Sequence, residues 1–182
     1  MDRRLLARLE SGVQNWNWWR EEHFDFIADF SGADLRGRDL RGASFQRANL
    51  EGADLSGADL RYADFEEALL NGARFDRARM AAADFKEATA RDASFVGADL
   101  RGANFFKADC TASSFEGADL RAARLTRARL EAARFRGAKL AGVRFAGREL
   151  ELARDAALPE AKTGCAAWIG GVLAAWLLIS GQ

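Results

Sequence analysis

Large apolar side chains recur at every fifth position over residues 30–150, with Ala90 as the exception. Alanine stands two positions earlier in all but four of these repeats, as in the segment GADLSGADL that begins at Gly52. A period of five would scatter apolar residues around an α-helix, and it would move successive repeats to opposite faces of a continuous strand. The pattern therefore predicts a chain that turns a corner in every repeat and winds into a coil.

The choice of apolar residue predicts the number of sides of this coil. Phenylalanine fills most apolar positions whose numbers end in five, such as Phe65 and Phe85, whereas leucine fills most of the alternate ones, such as Leu60 and Leu100. Only an even number of sides keeps these two classes in separate columns. The simplest closed solution is a coil of about 20 residues with four short sides. The sequence therefore predicts an all-β fold, a quadrilateral parallel β-helix of about six coils.

The remainder of the chain divides into shorter segments. Residues 1–29 hold a helical apolar stripe and a tryptophan-rich run, and we expect a helical cap that covers the first coil. A partner-binding aromatic patch is the alternative for this segment. The β-helix is predicted to occupy residues 30–150, followed by a linker at 151–163 and an apolar C-terminal helix at 164–182.

The repeated triplet of alanine, an acidic or amide residue and leucine resembles the signature of the pentapeptide-repeat family. Clear examples in this chain are Ala33-Asp34-Leu35, Ala53-Asp54-Leu55, Ala98-Asp99-Leu100 and Ala118-Asp119-Leu120. The resemblance covers about two thirds of the chain and implies a right-handed quadrilateral β-helix. The tryptophan-rich run is similar to the lead-in of many bacterial members. Members that confer quinolone resistance resemble duplex DNA and bind gyrase, so the resemblance implies gyrase as one candidate partner.

Charge is unevenly distributed along a chain whose net charge is zero. Residues 26–100 carry ten basic and fourteen acidic side chains, net −4, whereas residues 101–150 carry eleven basic and five acidic ones, net +6. Five cations occupy the outward position of consecutive repeats and are expected to form a basic collar around one coil: Arg124, Arg129, Arg134, Lys139 and Arg144. The collar is either a solvated surface with local ion pairs or a docking surface for an acidic protein or anionic lipid headgroups.

The basic collar argues against two kinds of partner. A protein that imitates DNA should be acidic along its length, so gyrase is disfavoured. Direct nucleic-acid binding is disfavoured as well, because the collar lacks the aromatic platforms that usually accompany such sites.

Catalytic and metal-binding patterns are missing from the sequence. His23 is the single histidine and lies beside charged and aromatic residues of the predicted cap, which indicates a structural or exposed side chain. The two cysteines, Cys110 and Cys165, do not have CxxC spacing, so zinc binding is not supported, and no phosphate-binding loop is present. We therefore expect no enzymatic activity, no cofactor and no bound metal.

The C-terminal segment 164–181 contains no charged residue. As a helix it would be about 27 Å long, which is enough to cross the hydrocarbon core of a membrane. Small residues spaced by four, flanked by tryptophans, suit close helix contact in lipid or in a protein interface: Ala167, Trp168, Gly171, Ala175 and Trp176. This segment is a membrane anchor, a dimerisation helix or a cap on the last coil.

Together these patterns indicate a non-enzymatic scaffold for protein interaction, with a partner that the sequence does not identify. We expect a cytoplasmic rod that the C-terminal segment tethers to the inner face of a bacterial membrane. The alternatives are a gyrase-binding DNA mimic and a soluble homodimer joined through the C-terminal helix.

Overall fold

The computed structural model describes residues 3–145, which form two short helices followed by a regular coil. Helix α1 spans Arg3–Glu10 and helix α2 spans Val13–Glu22. From Asp29 onward the chain forms parallel bridges in which each bridged residue pairs with the residue 20 positions later, as Asp29 does with Asn49. This spacing is the length of one coil, and it agrees with the length that the sequence predicts. The last such pair joins Arg124 to Arg144.

Each side of the coil contributes one bridged residue rather than a longer strand. The N–H of Arg74 donates to the carbonyl of Ala53 at 2.9 Å, and the N–H of Leu55 donates to the carbonyl of Arg74 at 2.7 Å. Because the chain turns again after these bonds, none of the described sides is long enough to count as an extended strand. The expected alternation of strand and corner is thus realised as one-residue bridges between turns.

The corners are tight turns closed by a hydrogen bond across four residues. The N–H of Ala58 donates to the carbonyl of Leu55 at 3.1 Å, and Gly57 between them has a φ of 69°. Tyr62 occupies the same corner position in the next repeat with a φ of 62°, although it carries a side chain. Its N–H donates to the carbonyl of Ala81 in the following coil at 3.1 Å. Bonds between coils therefore hold the left-handed backbone even where glycine is absent.

Outward aspartate and asparagine side chains complete the hydrogen bonding of the corners. Oδ1 of Asp54 accepts the N–H of Ser56 at 3.0 Å, and Oδ1 of Asn49 accepts the N–H of Glu51 at 3.0 Å. A short side chain with an oxygen on Cγ reaches the backbone two residues later, as in an Asx turn. The acidic or amide residue of the repeat is therefore a structural part of the corner as well as a surface group.

Two stacks of phenylalanine rings fill the interior. In one stack the ring centroids of Phe65, Phe85 and Phe105 are 4.9 and 4.6 Å apart with nearly parallel planes. The second stack contains Phe75 and Phe95 at 5.0 Å. The stacks also meet edge to face across the coil, with centroids separated by 5.7–6.0 Å. The central coils keep phenylalanine and leucine in different columns, as predicted, whereas Leu55 and Leu125 lie in the phenylalanine columns nearer the ends. The coil is narrow enough for the two aromatic columns to touch.

The N-terminal helices pack against the first coil. Trp16 of α2 is fully buried; its ring lies 5.4 Å from that of Phe30, and its indole N–H donates to the carbonyl of Ser44 at 2.7 Å. The buried guanidinium of Arg20 donates to the carbonyl of Gln46 at 2.8 Å. These bonds attach α2 to the coil.

Arg38 explains one departure from the repeat pattern. It occupies an inward position that is usually alanine, and its guanidinium forms an ion pair with Glu10 of α1 at 2.8 Å. A long side chain is tolerated here because this position lies in the first coil, beside the helices. The ion pair adds a second attachment between helices and coil.

The predicted C-terminal segments lie outside the described residues. These are the last residues of the predicted β-helix, 146–150, the linker at 151–163 and the apolar segment at 164–182. Within residues 3–145, neither helix has the length and apolar character that crossing a membrane requires.

Candidate interaction surface

The outward residues of the coil form four parallel columns, which we number as faces. Face 1 begins at Asp29, face 2 at Asp34, face 3 at Asp39 and face 4 at Ser44, and each continues at every twentieth residue. Faces 2 and 4 lie on opposite sides of the rod. Residues of the basic collar occur on all four faces, and Arg124 and Arg144 are neighbours on face 4.

Three residues of the basic collar have acidic partners on their own side of the rod. The nearest nitrogen–oxygen distances are 3.2 Å for Arg129 to Asp109, 3.2 Å for Arg134 to Glu116 and 3.9 Å for Lys139 to Asp119. Among residues 3–145, Arg124 and Arg144 form no ion pair. The free positive charge of the collar is therefore concentrated on face 4 rather than spread around the coil.

Phe106 lies at the corner that follows face 4, with cations around its half-buried ring. The guanidinium carbon of Arg124 is 4.2 Å from the ring centroid, Nζ of Lys107 is 5.5 Å away and the guanidinium carbon of Arg127 is 5.9 Å away. These distances are those of cation–π contacts. Together with Arg144 these residues form a surface that we call the Phe106 patch.

Phe106 is an aromatic residue beside the basic collar that the sequence analysis did not single out. Phe106 occupies a corner position where the other repeats carry a polar residue, alanine or, once, valine, and this aromatic exception was the signal available in the sequence. Its position next to Arg124 follows from the winding of the coil, which brings residues 106 and 124 into adjacent coils. One face of the ring is covered by the guanidinium of Arg124, so Phe106 is not an open stacking platform for a nucleic-acid base.

The other half of face 4 is acidic. Asp64 and Asp84 are half-buried, and neither forms an ion pair in the part of the chain that the structure describes. Burial raises the pKa of Asp64 above its usual value, and the nearby carboxylates of Asp84 and Glu66 raise it further. Asp84 accepts a hydrogen bond from the side-chain amide of Asn104 at 3.0 Å. Face 4 thus carries two carboxylates at one end and two guanidiniums at the other.

Face 3 shows the opposite arrangement, because its aspartates are paired locally. Each of four aspartates accepts two hydrogen bonds from the guanidinium of the arginine two residues later; the pairs are Asp39 with Arg41, Asp59 with Arg61, Asp99 with Arg101 and Asp119 with Arg121. The hydrogen bonds from Arg61 lower the pKa of Asp59. The acidic column of face 3 is therefore neutralised by its own arginines.

The N-terminal helices present a second candidate surface. Trp18 is 60% exposed and Phe24 is 68% exposed, whereas Trp16 is buried. His23 stacks on Trp19 with ring centroids 4.5 Å apart, and its Nδ1 lies 2.9 Å from the carbonyl oxygen of Trp19. His23 is thus an exposed residue that packs against the C-terminal end of α2.

A broad open groove lies next to these helices. It has a volume of about 710 Å³ and lies between the α1–α2 turn and face 3, where Arg41, Arg61 and Tyr62 form part of its lining. Both arginines are already bound by Asp39 and Asp59. No group of three or more histidine, cysteine, aspartate or glutamate residues within 3–145 is placed to hold a metal ion.

Comparisons with known proteins identify the family. A model of pentapeptide repeats matches residues 28–66 with eight copies, and a model of the pentapeptide repeat region matches residues 70–145. The chain belongs to the pentapeptide-repeat family, and its four-sided coil is the right-handed β-helix of that family. A comparison with curated protein sequences finds no match.

Several solved structures are similar to this chain. The pentapeptide repeat protein Rfr23 from the cyanobacterium Cyanothece 51142 is 22% identical, with 74% of this chain and 100% of that chain covered and a TM-score of 0.38. HetL from Nostoc sp. strain PCC 7120, involved in heterocyst differentiation regulation, is 32% identical, with 65% and 68% covered and a TM-score of 0.34. The plasmid-mediated fluoroquinolone resistance protein QnrB1 is 20% identical, with 70% and 82% covered and a TM-score of 0.32.

Proposed function

We propose that this protein is a non-enzymatic scaffold that binds an acidic protein partner through the Phe106 patch. The observation that carries the proposal is the difference between the faces: the acidic residues of face 3 are bound by their own arginines, whereas Arg124 and Arg144 have no acidic partner among the described residues. Exposed cations around an aromatic ring fit the surface of a protein that supplies carboxylates. Within residues 3–145 the interior of the coil is filled by side chains, and this part of the chain offers no enclosed site for a substrate.

The proposal predicts that reversing the free charges of face 4 abolishes partner binding. The full-length protein is immobilised and exposed to detergent-solubilised cell extract, and retained proteins are identified with and without poly-glutamate as an acidic competitor. We expect Arg124→Asp combined with Arg144→Asp to reduce retention of the specific partner at least tenfold. The control is Arg134→Asp combined with Arg136→Asp, which makes the same charge change on the opposite side of the rod. Equal retention by the two variants would refute the proposal.

Gyrase is the alternative partner that the family resemblance suggests. Binding of a DNA-like rod would depend on an acidic surface, and on face 3 that surface is neutralised by local arginines. The same capture experiment distinguishes the two functions when purified gyrase is used as the probe. Gyrase retained equally by the wild type and by the Arg124→Asp, Arg144→Asp variant would favour the alternative.

We also propose that the apolar segment 164–181 tethers the scaffold to the membrane on its cytoplasmic side. The support is the absence of charge in this segment and the basic residues that precede it, which suit a cytoplasmic rod. The soluble homodimer joined through this segment is the competing interpretation.

The tether predicts that the full-length protein sediments with membranes and resists alkaline extraction. Leu173→Arg combined with Leu177→Arg should release it into the soluble fraction, because each arginine disfavours insertion by roughly 2.5–3.5 kcal/mol. Gly171→Ile is the matched control, since it would disrupt close helix contact and leave insertion intact. A wild-type protein that is soluble without detergent, and whose dimer is lost with Gly171→Ile, would show that the segment is a dimerisation helix.

A further inference from the structure

Face 4 carries charged side chains that form no ion pair within the described coil. These four side chains are Asp64, Asp84, Arg124 and Arg144. The two carboxylates occupy consecutive coils, and so do the two guanidiniums. Asn104 separates the two groups. Such a face is complementary in charge to the same face of a second copy that runs in the opposite direction.

The spacing of these residues is symmetric about Asn104. Asp84 and Arg124 each lie one coil from Asn104, and Asp64 and Arg144 each lie two coils away. Neighbouring coils are about 4.8 Å apart, so these distances are about 5 and 10 Å on either side. When a second copy is placed antiparallel on this face, every carboxylate meets a guanidinium and Asn104 meets Asn104.

We propose that the acidic partner of the Phe106 patch is face 4 of a second copy, in an antiparallel dimer whose two-fold axis passes beside Asn104. The inference rests on the proposed function, because it names the partner of the same surface. In this dimer Asp84 pairs with Arg124 of the other copy, and Asp64 pairs with Arg144 of the other copy. Such an interface uses the same patch on both chains and closes after two copies.

Phe106 supplies the apolar part of this interface. It follows Asn104 by two residues, so it lies next to the axis, and the two-fold rotation keeps it on the same edge of the interface in both copies. The half-buried rings of the two copies would therefore face each other. Aromatic residues and arginines are both enriched in protein interfaces relative to the rest of the surface.

A long polyanion fits face 4 less well than a second copy does. Nucleic acid or an anionic membrane lying along the rod would contact Arg124 and Arg144. It would also approach Asp84, about 10 Å from Arg124, and Asp64 one coil further along. These carboxylates would repel the polyanion. In the antiparallel dimer the same carboxylates are attractive, because each faces a guanidinium.

The interface is short, so we expect a weak and salt-sensitive dimer. The charged residues of face 4 extend over about 19 Å, and interfaces at the small end of the known range are transient. Exposed charges are screened within about 10 Å at 0.1 M salt and about 3 Å at 1 M salt. Dimerisation should therefore decrease as salt is raised.

Site-specific cross-linking of the full-length chain tests the arrangement. Asn104→Cys is introduced together with Cys165→Ser, and a short bis-maleimide is added; the native Cys110 is fully buried and does not compete. We expect a covalent dimer, because the two copies of residue 104 lie next to the axis, about 10 Å apart across packed sheet faces. The matched control is Ser94→Cys on face 2, which faces away from the interface. It should give at least tenfold less dimer.

Charge reversal tests whether face 4 holds the two copies together. Arg124→Asp should lower the cross-linking yield of Asn104→Cys at least tenfold, because the new carboxylate at position 124 would face Asp84 of the other copy. Adding Asp84→Arg to the same chain should restore the yield, since both symmetry-related pairs are then rebuilt with reversed polarity. Arg136→Asp, an equal charge change at an exposed position beyond face 2, should leave the yield unchanged.

The outcomes separate this inference from the proposed function. A yield that charge reversal does not alter, or that the double variant does not recover, would overturn the dimer and indicate association through another segment. If residue 104 gives no cross-link while a heterologous partner is still lost with Arg124→Asp and Arg144→Asp, the dimer is wrong and the proposed scaffold function stands.

Discussion

Replacing Phe105 with alanine is expected to destabilise the coil by about 3–5 kcal/mol, the range for removing a buried aromatic side chain. Phe105 is fully buried, stacks on Phe85 with centroids 4.6 Å apart, and meets the rings of Phe95 and Phe115 edge to face at 5.8 and 5.7 Å. Its loss would leave a cavity between two aromatic columns that are held in place by the coils above and below. Urea unfolding followed by circular dichroism measures the change.

The neighbouring residue provides the control. Phe106 is half-buried at a corner, and three cations lie 4.2, 5.5 and 5.9 Å from its ring centroid. Because it contacts cations rather than the core, Phe106→Ala should cost no more than about 1 kcal/mol. The two variants remove the same atoms from adjacent positions. If their unfolding midpoints shift equally, the assignment of inward and outward positions is wrong.

Replacing Trp16 with alanine is expected to have an effect of similar size, again about 3–5 kcal/mol, and to act at the N-terminal end of the rod. The ring of Trp16 is fully buried against Phe30, Phe45 and Trp19, and its N–H satisfies the carbonyl of Ser44. Without it, α2 loses its main contact with the first coil. Hydrogen exchange should show faster exchange in the first coil than in the central coils.

Trp18 serves as the matched variant for this prediction. Its side chain is 60% exposed. Trp18→Ala should therefore change the free energy of unfolding by about 0.5 kcal/mol or less, as surface substitutions usually do. A large destabilisation by Trp18→Ala together with a small one by Trp16→Ala would contradict the observed packing of α2. A loss of partner binding with Trp18→Ala at unchanged stability would instead identify the aromatic surface of the helices as an interface.

For the basic collar, the sequence predicts which side chains point outward but not which of them form ion pairs. The repeat period correctly predicts that its five cations point outward, since the period fixes which positions face the interior. Whether each cation is free depends on side chains one coil away, such as Asp109 below Arg129. The sequence contains both residues, but only the coil places them 3.2 Å apart. The same folding leaves Arg124 without a carboxylate among the described residues and puts it over Phe106.

The sequence by itself determined the coil. A five-residue period with alanine and a large apolar residue two positions apart is compatible with neither a helix nor a flat sheet, and the alternation of phenylalanine and leucine requires an even number of sides. These regularities are local, so they can be recognised in the sequence without any information on tertiary contacts. The tertiary structure decided three features that the repeat pattern does not determine. Outward aspartates accept hydrogen bonds from N–H groups of the corners, and residues other than glycine occupy some left-handed corners. The structure also shows on which face the charged side chains lack ion pairs. Each of these depends on hydrogen bonds and ion pairs between coils, which exist only after residues far apart in the sequence have been stacked.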